Sequence, residues 1–348
     1  MFTDRIEARW IDAFAHVFVL SKVQAGDPVA ILSETQSRQL NVHLSELGLL
    51  KLGARPFHLC IPTAVQSAPV PVRSTGASQA IQGLEPVIAA LTSVPVVVDC
   101  TVEGLMHAPE LPAILKSGAR VLNISNEHPD ALERLLPTEA LKAQVLAASR
   151  LARKASHMRV TSAAGTALEV GMTDAATVGI WGYTDKPGTL SHWPGGLVVS
   201  FPKANSVNGA LVLDTGDINL TFKRYLQSPV RLTIEDDYVT NIEGHGTDVE
   251  LMRRYWVAWD DPAAYAVSHV GWGLNRNARY EALTMYDQRD TNGTELRAFA
   301  GNFLFSTGAN EFAGRFTKGH FDLPVRGCTI ELDGVAVVVE GEIVDSGW

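Results

Sequence analysis

Between Val29 and Lys154, short continuous apolar runs alternate with helix-period segments. Val29-Ala30-Ile31-Leu32, Pro56 to Cys60, Val96 to Cys100 and Arg120 to Ile124 read as strands, and Gln39 to Lys51 reads as a helix closed by Gly53. Continuous rather than alternating apolar runs mark parallel strands that are buried on both faces, with helices supplying the cover. An open α/β sheet is therefore expected, and such sheets place ligands beyond the carboxyl ends of their strands. Leu132 to Lys154, rich in Ala, Leu, Lys and Arg, predicts one long helix leading out of this region.

Beyond Lys154 the texture changes. Val198 to Phe201, Ala210 to Asp214, Val230 to Ile234 and Ile330 to Val339 are apolar stretches separated by Gly, Asn, Asp and Pro. Leu332-Asp333-Gly334-Val335 puts Asp-Gly between strand-forming residues, a hairpin signal. Helices are expected at 247 to 258 and from Glu295 to Leu304. The predicted fold class is α/β in two domains. Residues 1–154 form an N-terminal open α/β domain contributing to a cleft, and residues 155–348 form a C-terminal β-rich α+β domain carrying a metal site.

Composition narrows the function classes. A chain of 348 residues, 46% hydrophobic, has the make-up of a soluble globular protein long enough for two domains. Its formal net charge of -9 argues against nucleic acid as a partner, because phosphate binding wants a basic face. No apolar stretch is long enough to span a bilayer, and Arg5, Glu7 and Arg9 break up any leader-like run. Cys60, Cys100 and Cys328 form no CxxC motif and no evident disulfide framework, which fits a reducing cytoplasm. A dinucleotide fingerprint, a phosphate loop, an HExxH zinc helix and a GxSxG elbow are all missing from the sequence.

The candidate chemistry lies among the ten histidines. His320 and Asp322, two apart on a strand, point to one side and can share a metal ion, with Phe321 on the other side. By spacing alone the signal is weak, and a surface salt bridge or a turn is the plainer explanation. His269, beside Gly271-Trp272-Gly273, is a third ligand of the right type, since two imidazoles and a carboxylate leave open positions on a non-haem iron(II). His107, after a predicted strand, and His192, in His192-Trp193-Pro194-Gly195-Gly196, have the reach for the same cavity; catalytic and structural roles stay open for both. Tyr183 and Asp185 precede that turn. His16, His43, His58, His128, His157 and His245 have structural explanations.

Longer blocks carry a resemblance along almost the whole chain. They are Met106-His107-Ala108-Pro109-Glu110, Gly182-Tyr183-Thr184-Asp185-Lys186-Pro187-Gly188, Ser191-His192-Trp193-Pro194-Gly195-Gly196 and Leu211-Val212-Leu213-Asp214-Thr215-Gly216-Asp217-Ile218. They continue in Ser268-His269-Val270-Gly271-Trp272-Gly273-Leu274, Gly301-Asn302-Phe303-Leu304-Phe305-Ser306-Thr307-Gly308 and His320-Phe321-Asp322-Leu323-Pro324. With these, the sequence resembles the 2,5-dihydroxypyridine 5,6-dioxygenase family. The resemblance implies an aminopeptidase-T-like fold and an iron(II), Fe(2+), held by His269, His320 and Asp322. It implies ring opening of a small aromatic substrate by dioxygen to give N-formylmaleamic acid, with His107 as the acid–base residue. His192 and Tyr183 are expected to orient substrate or oxygen, and Trp193, Trp272 and Ser306 to line the pocket. A related hydroxylated pyridine is the alternative substrate, and an aminopeptidase-like metal hydrolase the alternative activity. A cytoplasmic homo-oligomer without membrane partners is expected.

Overall fold

The computed structural model describes residues 5–65, 68 and 78–344, so the outermost ends of both predicted domains lie outside the described residues. The first sheet has five strands, all parallel to their neighbours. In spatial order they are Arg55–Ile61, Pro28–Glu34, Val96–Cys100, Arg120–Ile124 and Leu190–Trp193. Every residue of Val96–Cys100 is buried, as its unbroken apolar run predicts for a central parallel strand. Helix Gln39–Lys51 has the predicted bounds, and Gly53 follows it at φ 74°, a left-handed position suited to glycine after a helix end.

The fifth strand comes from beyond residue 155. The boundary expected at 154/155 therefore does not separate the sheets, because the chain returns to the exposed edge of Arg120–Ile124 after an excursion of more than thirty residues. The long helix expected over Leu132 to Lys154 is two helices, Pro129–Arg134 and Glu139–Lys154. Pro137 lacks the N–H needed to continue a helix, and the Thr138 side chain accepts from Leu141 N to start the second one.

Two large antiparallel sheets, with a two-stranded ribbon of Ile218–Asn219 and Arg224–Tyr225, make up the β-rich part among the described residues. One runs Tyr238–Gly244, Val230–Glu235, Val207–Leu213, Ala167–Gly171, His157–Ser162, Cys328–Leu332, Val335–Val339 and Glu342–Ile343. One of its hairpin turns is the predicted Asp333-Gly334, with φ of 48° and 81°. Positive φ at both positions matches the right-handed twist of the flanking strands.

The other sheet positions the site. Its order is Arg315–Val325, Phe303–Asn310, Val267–Gly273, Leu197–Phe201 and Ala176–Ile180. Both antiparallel sheets bury apolar faces in one core that includes Val160, Leu211, Trp272, Phe305 and Phe321. The helix expected from Glu295 to Leu304 stops at Ala298. Gly301 takes φ 84°, and Phe303 begins a strand instead, because Phe303 and Phe305 are needed in this core. The mixed α/β architecture is as expected.

Candidate metal centre

His320 and Asp322 lie on the edge strand Arg315–Val325 and His269 on Val267–Gly273, with Phe303–Asn310 between them. Ser306 on the middle strand pairs with His269 on one side and Asp322 on the other. Period-two alternation then sets all three side chains on one face, while Phe321 packs oppositely against Tyr255 and Trp256. The Tyr255 hydroxyl anchors the strand locally, donating to the carbonyl of His320 and accepting from its N–H.

The cluster is tight and buried. Oδ1 of Asp322 lies 3.2 Å from Nε2 of His320 and 3.7 Å from Nε2 of His269. Ligand atoms of His107, His269 and His320 all fall within 4.8 Å of one another, a three-histidine grouping able to hold a metal ion. Burial pushes the His269 imidazole down to about 3, keeping it neutral and its lone pair available. Burial would raise the Asp322 carboxyl, but Arg297, His320 and His269 outweigh it and hold it well below the usual carboxylate range. Ser306 Oγ and Arg297 Nε both donate to this carboxylate. Arg297 is held in turn by Thr294–Ala298, whose first N–H groups donate to buried Glu127.

His107 arrives from the parallel sheet. Asp99, fully buried at the end of Val96–Cys100, accepts from Thr101 N, Thr101 Oγ1 and Leu105 N and bends the following loop back across the strand ends. This brings the His107 ring to 4.9 Å from that of His320, centroid to centroid, with Nδ1 3.2 Å from Oε1 of Glu311. His192, at the end of the fifth parallel strand, lines the same cavity. Its Nδ1 lies 3.3 Å from the carbonyl oxygen of Pro194, and burial pushes its imidazole down to about 4. A carbonyl only accepts, so Nδ1 carries the proton and Nε2 presents a lone pair. The cavity encloses about 90 Å³ between these polar groups and an apolar wall of Met106, Ile180, Leu197, Val199 and Leu304.

Four expected site residues lie elsewhere. Tyr183 is in the core of the first sheet, its hydroxyl donating to Glu139. Trp193 is in the same core, its indole N–H donating to the Leu135 carbonyl at 3.0 Å. Trp272 points into the core shared by the antiparallel sheets. The reason is alternation: each tryptophan occupies the strand face opposite to the one carrying the histidines. Ser306 sits behind Asp322 as its hydrogen-bond donor rather than on the cavity wall. Residues that the sequence reading missed include Arg297, Asn123, Asn292, Thr294 and Glu311; none sits in a recognisable motif.

The family model "NicX: 2,5-dihydroxypyridine 5,6-dioxygenase" matches residues 9–345. The chain belongs to this family. A 2,5-dihydroxypyridine 5,6-dioxygenase of Pseudomonas putida is 37% identical over 341 residues, 97% of this chain and 96% of the relative. The solved structure of the 2,5-dihydroxypyridine dioxygenase from Pseudomonas putida KT2440 superposes with a TM-score of 0.92 at 36% identity, covering 99% of both chains. AmpT of Thermus thermophilus shares the general fold, with a TM-score of 0.64 at 15% identity over 97% of this chain and 99% of that one. Among the described residues no helix is long and apolar enough to cross a membrane.

Proposed function

We propose that this protein opens 2,5-dihydroxypyridine between C5 and C6 with dioxygen, giving N-formylmaleamate, with iron(II) held by His269, His320 and Asp322. The observation that carries the reading is the convergence of these three buried side chains on one small cavity, in a chain that matches its family nearly end to end. The donor set suits the metal. Nδ1 of His269 and of His320 are buried without a hydrogen-bond partner among the described residues, and their Nε2 atoms lie 3.7 and 3.2 Å from Oδ1 of Asp322, so three metal-type donors converge. Two imidazoles and one carboxylate are the facial set of non-haem iron(II) oxygenases. When bound, the metal would bring the ring and dioxygen together and provide an electronic route around the spin barrier between them.

The protein's own groups do the rest. His107 is the base for the 5-hydroxyl proton. With Nδ1 bonded to Glu311, its Nε2 is the atom left to take that proton. Neutral His192 offers a second acceptor on the parallel-sheet side and orients the ring. Arg297 and Ser306 keep Asp322 ionised and fixed in direction. Met106, Ile180, Leu197, Val199 and Leu304 exclude water from a ring made electron-rich by deprotonation. A cytoplasmic homo-oligomer belongs to the same reading, supported by three unlinked cysteines and by exposed Phe312 and Phe316 as apolar contact surface.

Anaerobic loading with iron(II), followed by 2,5-dihydroxypyridine and air, tests the reading. Stoichiometric oxygen uptake with loss of the ring's absorbance is expected. No uptake with this ring or its hydroxylated relatives would remove the dioxygenase assignment.

A further inference from the structure

Asn123 lies on the last parallel strand but one, directly across the ladder from His192, and both side chains line the cavity. Its amide is locked in one orientation. Nδ2 lies 3.2 Å from the carbonyl oxygen of Asp99 and 3.0 Å from Oδ2 of the same residue. The carbonyl can only accept. The carboxylate takes Thr101 N and Thr101 Oγ1 on Oδ1 and Leu105 N on Oδ2, which leaves Oδ2 a second acceptor site for Nδ2. Both Asn123 amide hydrogens are therefore committed, and Oδ1 is the only polar atom this side chain can offer to a molecule in the cavity.

We propose that Asn123 is a specificity-determining residue that accepts a hydrogen bond from the ring N–H of the substrate, bound as its 5-hydroxy-2-pyridone form. The inference rests on the dioxygenase reading and deepens it. In that form the ring has two donors. The 5-hydroxyl loses its proton to His107, and the 2-oxygen only accepts, so the N–H is the donor that needs a partner. A desolvated N–H facing no acceptor is costly, so a pocket that supplies one discriminates. His192 also presents a lone pair at Nε2, but protonation would turn that atom into a donor; Asn123, held by Asp99, has no such alternative. The same Asp99 carboxylate positions Leu105 and, with it, the loop that delivers His107, so the acceptor and the base share one anchor.

The test is anaerobic equilibrium binding to the iron-loaded protein of two rings, 2,5-dihydroxypyridine and hydroquinone, in which C–H replaces the ring nitrogen. The wild type should prefer the pyridine-derived ring by about tenfold or more, and Asn123→Leu should bring the two within about twofold while iron content stays unchanged. Equal wild-type affinity for the two rings overturns the assignment, as does a preference that survives in Asn123→Leu. If that variant does not fold, Asn123→Ala is read in the same way, and the wild-type comparison stands alone as a test. Oxygen uptake without ring preference sinks the role of Asn123 only; no uptake with 2,5-dihydroxypyridine sinks the underlying reading as well.

Discussion

Nδ1 of His107 lies 3.2 Å from Oε1 of Glu311, joining the loop that follows Val96–Cys100 to the short helix Glu311–Ala313 between the last two strands of the site sheet. Burial would raise the Glu311 carboxyl, but the hydrogen bond from His107 helps to outweigh it and hold it below its ordinary value. The carboxylate thereby sets which ring nitrogen is free for the substrate. Glu311→Gln should lower kcat roughly tenfold with little change in KM, and Glu311→Asp should restore part of it. Steady-state oxygen uptake decides; an unchanged kcat in Glu311→Gln removes the positioning role.

Metal retention separates the residues that hold or brace the metal ligands from those that do not. Replacing His269, His320 or Asp322 by alanine should abolish iron binding, and Ser306→Ala should weaken it about tenfold by loosening Asp322. Tyr183→Phe should keep both iron and turnover within about twofold, since its hydroxyl is spent on Glu139. Elemental analysis after iron loading and desalting checks each variant.

His192 makes the stability of the metal-free protein depend on pH. Its folded-state value is pushed by burial to about 4, below the ordinary 6.5, so between these values the unfolded chain binds more protons than the folded one. Stability therefore rises with pH across that window and falls on acidification, by about 2 kcal/mol from this group at pH 5. Denaturant titrations at pH 7 and pH 5 should show the loss, and His192→Gln should show a smaller one. An identical loss in the variant would assign the effect elsewhere.

Gly271 lets two strands of the site sheet approach closely. A Cβ there would stand 1.9 Å from the carbonyl oxygen of Val198. Gly271→Ala should destabilise the fold by about 2 kcal/mol or more, because the obstacle is backbone that cannot step aside. It should also impair iron retention, since His269 lies two residues away on the same strand. Thermal melts and iron content measured together test this; a melt unchanged from wild type counts against it.

Much of the frame was legible because its signals are local. The Val96–Cys100 and Arg120–Ile124 strands have the predicted bounds, and Asp333-Gly334 makes its turn, since apolar runs and turn chemistry act over a few residues. The gathering of His269, His320 and Asp322 was foreshadowed by the two-residue spacing and by family resemblance. What escaped was long-range. Arg297 meets Asp322 from a helix whose first N–H groups donate to buried Glu127, and Glu311 meets His107 across 204 residues. Trp193 and Trp272 misled because an aromatic next to a glycine-flanked histidine suggests a pocket wall, whereas alternation sends it to the opposite face. The helix expected through Leu304 failed because propensity gave way to the burial of Phe303 and Phe305.

The strand Leu190–Trp193 belongs to the parallel sheet by its hydrogen bonds, yet the chain leaves it for Leu197–Phe201 of the site sheet after only three residues. That tether makes the two halves of the molecule inseparable as parts. A fragment ending at Lys154 would leave the backbone groups of Arg120–Ile124 open along one edge, an invitation to self-association. The remainder, expressed alone, would carry a homeless strand and an imidazole with no wall to stand in. The protein is thus not a cassette of two exchangeable modules, and recombination that swaps one half for a foreign one would dismantle the chamber along with the architecture.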